Sequence, residues 1–549
     1  MKKRKLQRFL ACLFSVAMVG SILTGCGNKA SSGTGAADHP ETAGNGAASA
    51  GSHAETAGGA ETADLSKFVE LTFLVPGDPP QGDYIDTVTA EWNKIFQEKL
   101  NCSVKLEYLG WTEWETKYSM MLLSGDNLDL VTTGSWMQIW DNAAKGAYMN
   151  IGELLPVYAP DIWSARPQEE WEYAKYNGEV FFVPQTEFSQ YTDRGFEYRV
   201  DWAEKAGLEE GLKDWDDVNV YLEWVKGNIP DIVPYEMHNN KKELWWDWVH
   251  THTDNYFMES ISTGFTNLFF LKAPDDLTVV CPVFDDDVVI PFGNYFKDWA
   301  DKGFIREDAM NGAANEEQMF IDGLSALDER HIGNFIGGDY HSFLLKNETI
   351  NPDADVDFMS FSYIRGNLCE LDPANDGVAV CRGSKNPERA LMALNLMYSD
   401  KELYQLMQYG MEGVNYTLDE DGLRLPQDLE QYPETDYQFF SNLWGCRKDE
   451  FEIPSVTENP NKEEFYAARE KIVKPAPLSG FAFDSVPIQS QLAALSDVCT
   501  RYMPLLTYGK AEDVEKTVSD FRNDLKVAGY DTVLAEIQRQ LDEYVSNKK

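Results

Sequence analysis

Short apolar segments alternate with helical segments along the first part of the chain, and this alternation constrains the fold more than any other feature. Each strand-like segment is short, the second of them alternates polar and apolar residues, and the first helical segment has one apolar face. The strand-like runs are residues 70–75, 103–108 and 128–132, and the helical runs are residues 84–100 and 113–123. Strands that alternate with helices of about 10–15 residues predict βαβ units and a parallel sheet.

The later part of the chain is predicted to be richer in helix. Residues 178–183 form one more strand-like run. Long helical patterns follow residue 386, including residues 387–398 and 514–544. No repeat with a period of about 20–50 residues stands out, which argues against solenoids and propellers. We therefore predict an α/β body with a helix-rich C-terminal part.

The N-terminus has the order of charge and hydropathy of a bacterial export signal. Residues 1–8 carry five positive charges and no acid, and residues 10–23 are apolar. This apolar run is shorter than the about 20 residues that span a bilayer. The following Leu23-Thr24-Gly25-Cys26 resembles the lipobox of bacterial lipoproteins. The resemblance implies a signal peptide at residues 1–25, cleavage before Cys26, and lipid chains on that cysteine that hold the protein at the membrane.

A tether follows the predicted lipid anchor. Residues 27–64 consist mostly of Gly, Ala, Ser and Thr, with a few acids. Such a segment buries too little apolar surface to offset its ordering entropy. A flexible chain of this length reaches roughly 35 Å. We therefore expect residues 26–67 to be lipidated cysteine and linker, and the folded body to lie outside the cytoplasm, anchored to the cell membrane.

The charge of the chain excludes some partners. The formal net charge is −44, and removal of the five basic residues of the signal takes it to −49. Nucleic acids and anionic lipid surfaces would be repelled by such a body, whereas neutral or cationic solutes would not. No second long apolar stretch occurs. The chain is therefore not expected to form a channel or to bind nucleic acid.

The cysteines leave two interpretations open. Beyond Cys12 and Cys26, six remain, widely spaced and without a Cys-x-x-Cys pair, namely Cys102, Cys281, Cys369, Cys381, Cys446 and Cys499. The missing pair argues against structural zinc. Disulfides are compatible with a place outside the cell, and buried free thiols are equally compatible with the sequence. No cofactor is expected.

A series of short motifs, in order along residues 68–544, resembles family 1 of the bacterial extracellular solute-binding proteins. Each motif alone is weak, but their order over the whole body is specific. They occur at residues 124–131, 144–147, 151–155, 178–184, 198–202, 206–208, 215–217 and 320–326. The last departs from the family, with Leu324-Ser325 in place of Lys-Ala. Residues 409–416, 477–483 and 525–530 resemble a lipoprotein subgroup of the Firmicutes.

This resemblance implies a periplasmic-binding-protein-like fold of type II, with two α/β lobes around a ligand cleft. We expect the first lobe to hold residues 68–187 and 379–425, and the second residues 188–378 and 426–549. It also implies that a monomer delivers a solute to the permease subunits of an ABC importer driven by a cytoplasmic ATPase. Lobe closure over the solute would then be a hinge motion.

Candidate binding residues follow from the rule that open α/β sheets bind ligands beyond the carboxyl ends of their strands. Aromatic rings match the C–H faces of a sugar, and acids, amides and arginine match its hydroxyls. On these grounds we select Asp78, Trp136, Gln185, Glu187, Trp245, Trp246, Asp247, Arg330, Glu412, Phe481, Phe483 and Asp484. A structural interpretation stands beside this one, since Trp245 and Trp248 lie three apart and fit one buried helix face. Glu412 lies in a Gly-rich turn and fits a helix cap.

Several functions remain in competition. A carbohydrate, most favoured as an oligosaccharide, is the first expectation for the solute; a peptide or another organic solute, or a sensing or scaffolding role, fits the same fold. A surface-anchored glycoside hydrolase would need carboxylates about 5–9.5 Å apart. No Gly-x-Ser-x-Gly, His-Glu-x-x-His or Walker A motif occurs, so we expect binding without catalysis. His250 and His252 with Asp247 and Asp254 form a weaker candidate metal site.

Overall fold

The structure is a computed structural model that describes most of residues 63–548. Its described residues lie in one compact unit, Ala60–Lys549. Cys26, Asp78 and Glu187, together with the predicted signal and linker up to residue 62, lie outside the described residues. The other positions not described within the unit are 80–84, 112, 125–126, 188–189, 231, 239–240, 259–260, 262–266, 313–314, 349, 427–445 and 549.

The strands are short, and within the described residues they form one five-stranded sheet, two three-stranded sheets and two two-stranded sheets. They are β1 Val69–Pro76, β2 Cys102–Leu109, β3 Leu130–Thr133, β4 Lys175–Tyr176, β5 Glu179–Val180, β6 Phe182–Pro184, β7 Arg194–Arg199, β8 Tyr256–Phe257, β9 Phe270–Ala273, β10 Asp276–Val280, β11 Leu327–His331, β12 Val356–Ser360, β13 Gly377–Val380, β14 Tyr416–Leu418 and β15 Arg424–Pro426. The strand predicted over residues 178–183 is divided between β5 and β6.

Helices surround these strands and dominate the C-terminal part. They are α1 Ile85–Leu100, α2 Trp114–Ser124, α3 Ile139–Ala144, α4 Leu155–Tyr158, α5 Pro160–Ala165, α6 Val200–Lys205, α7 Trp215–Asn228, α8 Glu243–His252, α9 Asp286–Lys302, α10 Glu316–Ile321, α11 Ile332–Asn334, α12 Tyr340–Asn347, α13 Phe361–Arg365, α14 Pro387–Ser399, α15 Lys401–Tyr409, α16 Lys462–Arg469, α17 Gln489–Thr507, α18 Val514–Val527 and α19 Tyr530–Lys548. Within the described residues, no helix is long and apolar enough to cross a membrane.

The first sheet has the predicted βαβ origin. Its order within the described residues is β2-β1-β3-β13-β6. Strand β1 pairs in parallel with both β2 and β3, so the carboxyl ends of these three strands meet at one edge. Strand β13 comes from much later in the chain and runs antiparallel between β3 and β6. The chain therefore leaves this sheet after β6 and returns to it at β13.

Helix α1 shows why the sequence folds this way. Val88, Trp92 and Phe96 recur every four residues and are buried against the sheet, which is the period of one helix face. Trp92 also donates its Nε1 hydrogen bond to the carbonyl of Val104 on β2, at 3.2 Å. Asp86 in the first turn and Lys99 in the last complement the helix dipole.

A second sheet and a second hydrophobic core lie beyond the crossing after β6. Strand β7 runs antiparallel between β11 and β12. The first core surrounds β1, β2, β3 and β13, whereas the second joins β7 to α7, α8, α9 and α17–α19. The two separate cores correspond to the two lobes of the fold expected for this chain.

The helix predicted over residues 514–544 is wrong in one respect, because the structure divides it into α18 and α19. Gly529 between them has φ of +102°, a conformation that residues with a side chain rarely adopt. Glycine just after a helix is a common stop signal. The break lets α18 and α19 pack separately in the second core.

The cysteines adopt one of the two arrangements left open by the sequence. Cys102, Cys281, Cys369, Cys381, Cys446 and Cys499 are all buried free thiols. Burial raises the pKa of the Cys102 and Cys369 thiols to about 11. These side chains therefore behave as small apolar core residues.

Candidate binding site

Three tryptophans lie together beyond the carboxyl edge of the first sheet. Trp111 follows β2, Trp136 follows β3, and Trp114 begins α2. The ring centroids of Trp114 and Trp136 are 5.0 Å apart in an edge-to-face contact, and those of Trp111 and Trp136 are 6.2 Å apart. Trp111 is 44% exposed. We call these three residues the tryptophan wall.

Glycine allows a close approach of the chain beside this wall. A Cβ on Gly134 would lie 1.9 Å from the carbonyl oxygen of Asn375, a distance that no side chain tolerates. Gly134 therefore lets the loop after β3 pack directly on the segment that precedes β13. This packing brings the tryptophan wall against residues about 240 positions further along the chain.

A hydrogen-bond network joins the tryptophan wall to that segment. Trp136 donates its Nε1 hydrogen bond to Asp376 Oδ1 at 2.8 Å. Gln190 Nε2 donates to the other oxygen of Asp376, and Gln190 Oε1 accepts from Asn375 Nδ2 at 2.8 Å. Ser135 Oγ donates to Asn375 Oδ1 at 2.9 Å. An aromatic surface and a polar one are thus held rigidly side by side.

A cavity of about 230 Å³ opens on this network. Its walls are mainly polar and come from the 3-10 helix before β4, the segment after β6, the segment before β13, and a later loop. The lining residues are Glu170, Tyr173, Gln185, Thr186, Gln190, Glu370, Leu371, Asp372, Pro373, Asn375, Asp376, Ala476 and Ser479. We call it the polar cavity.

Three segments of the chain run side by side beneath the polar cavity. Leu371 N donates to Gln190 O at 2.8 Å, and Glu370 N donates to Lys474 O at 2.9 Å. Thr192 N donates to Cys369 O at 3.0 Å. These segments carry the chain between the first and the second core, which is where a hinge between two lobes would bend.

Burial raises the pKa of two acids in the polar cavity. Loss of water raises the pKa of Asp372 to about 6, although backbone hydrogen bonds from Ala374 and Gly480 oppose this rise. Burial likewise raises the pKa of Asp376, against the hydrogen bonds from Trp136 and Gln190. Among the described lining residues there is no lysine, arginine or histidine. The cavity therefore has several acceptors and an acidic character.

Two of the residues selected from the sequence lie at this site. Gln185 lines the polar cavity, and its backbone N–H donates to Asp376 O at 2.8 Å. Trp136 belongs to the tryptophan wall and bonds to a lining carboxylate. Asp78 and Glu187, which were also selected, lie outside the described residues, so the structure does not place them.

The tryptophan-rich helix α8 has a structural explanation. Trp245 is fully buried, donates its Nε1 hydrogen bond to Asn267 O at 2.8 Å, and packs on Phe292. The partly buried Trp246 contacts Phe257 edge-to-face at 4.5 Å. Buried Asp247 lies 4.0 Å from the Arg194 guanidinium. These three residues do not line the polar cavity.

Arg330 and Asp247 belong to a buried network of charges instead. Arg330 pairs with Glu317 at 2.7 Å and with Asp339 at 3.3 Å. Lys241 pairs with Glu316 at 2.8 Å and Glu329 at 2.9 Å. Buried ion pairs of this kind leave large penalties when one partner is removed, so a structural role explains Arg330 without a solute.

The remaining selected residues also lie away from the polar cavity lining. Glu412 is exposed in the turn before β14. Phe481 and Phe483 are buried in the second core. Asp484 Oδ1 accepts a hydrogen bond from Val486 N at 3.0 Å and thereby caps the next turn. Phe481, Phe483 and Asp484 thus have local structural roles in this conformation.

The histidines proposed for a metal site take part in separate contacts. His250 Nε2 lies 3.3 Å from Ser362 Oγ, and the His252 ring stacks on Trp248 at 3.7 Å. Asp254 pairs with Arg365 at 2.7 Å. Within the described residues, no group of three or more His, Cys, Asp or Glu side chains has the arrangement of a metal site.

Sequence reasoning missed Gln190, Asn375 and Asp376, the residues at the centre of the network. A usable signal was present, because Asn375-Asp376 directly precedes the buried run Gly377–Val380 that forms β13. Recognition of that run as a strand would have placed both polar residues at a sheet edge. Gln190 has no comparable signal, since only the fold brings it to Asp376.

Comparison with known proteins identifies the family to which this protein belongs. The family described as bacterial extracellular solute-binding protein matches residues 80–403, and the chain belongs to this family. Residues 477–546 match a domain of unknown function, DUF3502. These matches confirm the family resemblance of the sequence and imply a place outside the cytoplasm.

Particular relatives agree with this assignment. The chain is 24% identical over 484 residues to a Streptococcus pneumoniae serotype 4 protein named a carbohydrate ABC transporter substrate-binding protein, with 86% of this chain and 90% of that protein covered. That relative is named as a binding protein.

Solved structures confirm the fold. The N-glycan transport solute binding protein NgtS of S. pneumoniae, in complex with Man1GlcNAc, has a TM-score of 0.66 at 20% identity, covering 87% of this chain and 100% of that one. The S. pneumoniae substrate binding protein FusA, in complex with kestose, has a TM-score of 0.60 at 16% identity, covering 87% and 100%. The predicted two-lobe solute-binding fold is therefore confirmed.

Proposed function

We propose that this protein captures a carbohydrate outside the cytoplasm and delivers it to an ABC importer. The observation that carries the proposal is the position of Trp136, whose ring belongs to the tryptophan wall while its Nε1 donates to Asp376 in the polar cavity at 2.8 Å. Sugars have apolar C–H faces and a rim of hydroxyls. A site that places aromatic rings next to acceptors matches both parts of such a molecule.

The polar cavity accommodates only part of an oligosaccharide, and the exposed aromatic ring of the tryptophan wall supports a solute of more than one unit. Its volume of about 230 Å³ is below the about 300–1,000 Å³ of pockets that enclose a drug-sized ligand. It therefore has room for one end of the solute. Trp111, which is 44% exposed, offers a surface on which a following unit would stack.

The relatives support the same solute class. One is named for carbohydrate transport, and two neighbours in fold are complexes with Man1GlcNAc and kestose. The name of the first relative supports an ABC importer as the partner. We further propose that this importer has permease subunits and a cytoplasmic ATPase, and that the protein acts as a monomer and returns its solute unchanged.

The lobes are proposed to close about the three crossing segments. The first would hold residues 68–187 and 379–425, and the second residues 188–378 and 426–549. Two hydrophobic cores support two lobes, but Ala374, Val378 and Cys446, which this division assigns to the second lobe, pack in the first core. The packing of Ala374 and Cys446 in the first core favours a return crossing near residues 368–372. A ligand that contacts both lobes would shift the open and closed populations.

The membrane anchor is proposed from the sequence. Leu23-Thr24-Gly25-Cys26 supports cleavage before Cys26 and lipidation of its thiol. Two or more acyl chains anchor a protein durably, whereas one gives only marginal binding. The linker that follows would let the body sample the membrane surface while remaining attached.

A thermal-shift screen tests the solute class. The protein, purified in detergent, is heated with mono- and oligosaccharides, amino sugars and peptides. A solute at 100 times its dissociation constant should add ~2.7 kcal/mol to the free energy of unfolding. Stabilisation by saccharides with chromatographically unchanged solute supports the proposal. Stabilisation by peptides alone, or a cleaved saccharide in excess of protein, would replace it with peptide binding or with a hydrolase.

A further inference from the structure

The polar cavity is surrounded by negative charge. Glu170, Glu370, Asp372 and Asp376 all line it. The described lining residues include no cationic side chain. Lys548, which is not a lining residue, donates from its Nζ to Ser479 O at 2.8 Å. Four carboxyl groups thus line the cavity with no cation among its described lining residues.

Two of these four acids already accept hydrogen bonds from other groups of the protein. Asp376 accepts hydrogen bonds from Trp136 and Gln190. Asp372 accepts from the backbone N–H groups of Ala374 at 2.7 Å and Gly480 at 2.8 Å. Their charge contributes to the field in the cavity, but their oxygens hold the walls in place.

The other two acids are available to a solute. Among the described residues, no hydrogen bond or ion pair engages the carboxylate of Glu170 or Glu370, and both residues are partly exposed. Ionised carboxylates only accept hydrogen bonds. They would bind hydroxyl or ammonium groups of a solute, and they would repel a carboxylate, sulfate or phosphate placed beside them.

We infer that the polar cavity selects the end of the solute by charge, accepting a neutral or amino sugar unit and rejecting uronate, sialyl or sulfated units. This inference rests on the proposed function, since it assumes a carbohydrate solute. It deepens that proposal by assigning the selection to Glu170 and Glu370. Like charges at a site are an effective way to exclude a competitor.

The net charge of the whole chain, −44, must be separated from this local effect. Long-range repulsion between exposed charges is screened within about 8 Å at physiological ionic strength. The interaction between a solute and the charges that line a cavity is screened much less than this. Selection by the cavity should therefore persist at a salt concentration of about 0.5 M, at which repulsion between exposed charges is strongly screened. Selection by the overall charge of the chain should disappear under the same conditions.

The test uses two matched sugar triads: glucose, glucosamine and glucuronate, and galactose, galactosamine and galacturonate. Their affinities are measured by titration calorimetry and ligand-observed NMR at low and high salt, with the protein in detergent. Three proteins are compared: the wild type, Glu170→Gln/Glu370→Gln, and the control Glu463→Gln/Glu464→Gln. The control changes the net charge equally through exposed acids of α16.

We expect the wild type and the control to bind a neutral or amino sugar at least tenfold more tightly than its uronate at both salt concentrations. The Glu170→Gln/Glu370→Gln variant should lose most of this difference. The inference is overturned if uronates bind equally well, if the cavity variant behaves like the control, or if longer saccharides bind but no triad member does. Failure of every saccharide in the thermal-shift screen would instead remove the proposed function.

Discussion

Replacement of Trp136 separates its structural role from its role in binding. Trp136→Phe keeps an aromatic ring but removes the 2.8 Å hydrogen bond to Asp376. A hydrogen bond to a charged group contributes about 1.5–3 kcal/mol, and its loss leaves a buried carboxylate with one donor fewer. We therefore expect Trp136→Phe to lower the free energy of unfolding by that amount, with a smaller loss of solute affinity.

Trp136→Ala removes the ring as well. Contacts with Trp114 at 5.0 Å and Trp111 at 6.2 Å disappear, each worth about 0.5–1.5 kcal/mol beyond simple burial. If the ring also stacks on a sugar, affinity should fall by a further about 1–3 kcal/mol, the range of aromatic truncations at interfaces. This loss in affinity is roughly five- to more than a hundredfold.

The assay measures urea unfolding and solute titration on the same samples. Trp163→Phe is the matched control, because the Trp163 ring stacks on Trp171 at 4.9 Å and does not line the polar cavity. The control should leave affinity unchanged. Equal affinity of Trp136→Ala and the wild type, at temperatures where both are folded, would refute a stacking role for Trp136.

Three further predictions concern titration, anchoring and thiols. Burial raises the pKa of Asp193 to about 6, above the about 3.9 of an unfolded chain, so the neutral form is favoured in the fold. This difference contributes up to about 3 kcal/mol of stability, which is fully present below about pH 3.9 and is lost as pH rises through 6. Asp193→Asn should flatten this fall in urea unfolding between pH 4 and 7.5, and an identical slope for both proteins would contradict it. Cys26→Ala should remain uncleaved or leave the membrane fraction, whereas normal processing and retention would exclude lipidation at Cys26. The six buried thiols should react with a thiol reagent only after unfolding, and rapid reaction of the folded protein would contradict their burial.

The first sheet could be predicted from the sequence because its elements are local and regular. The strand-like run at residues 103–108 alternates polar and apolar residues, the run at residues 128–132 is mostly apolar, and α1 buries residues at intervals of four. Such periodicity is set by neighbours in sequence. The parallel pairing of β1 with β2 and β3 then follows from the βαβ rule.

The candidate site was harder to predict from the sequence, because contacts between residues far apart in the chain assemble it. Trp136 meets Asp376 across 240 positions, and Gln190 meets it across 186. Composition alone left two interpretations of Trp245. A tryptophan suits both a sugar platform and a core, and only the hydrogen bond to Asn267 and full burial show that the core explains it.

The central claim is that a saccharide lies with one end in the polar cavity and a ring on the tryptophan wall. A crystal structure of the protein with the saccharide that gives the largest thermal shift tests this claim most directly. We expect an intact saccharide whose terminal unit contacts Glu170 or Glu370 and whose next unit stacks on Trp111 or Trp136. A saccharide bound elsewhere, or cleaved in the crystal, would contradict the account.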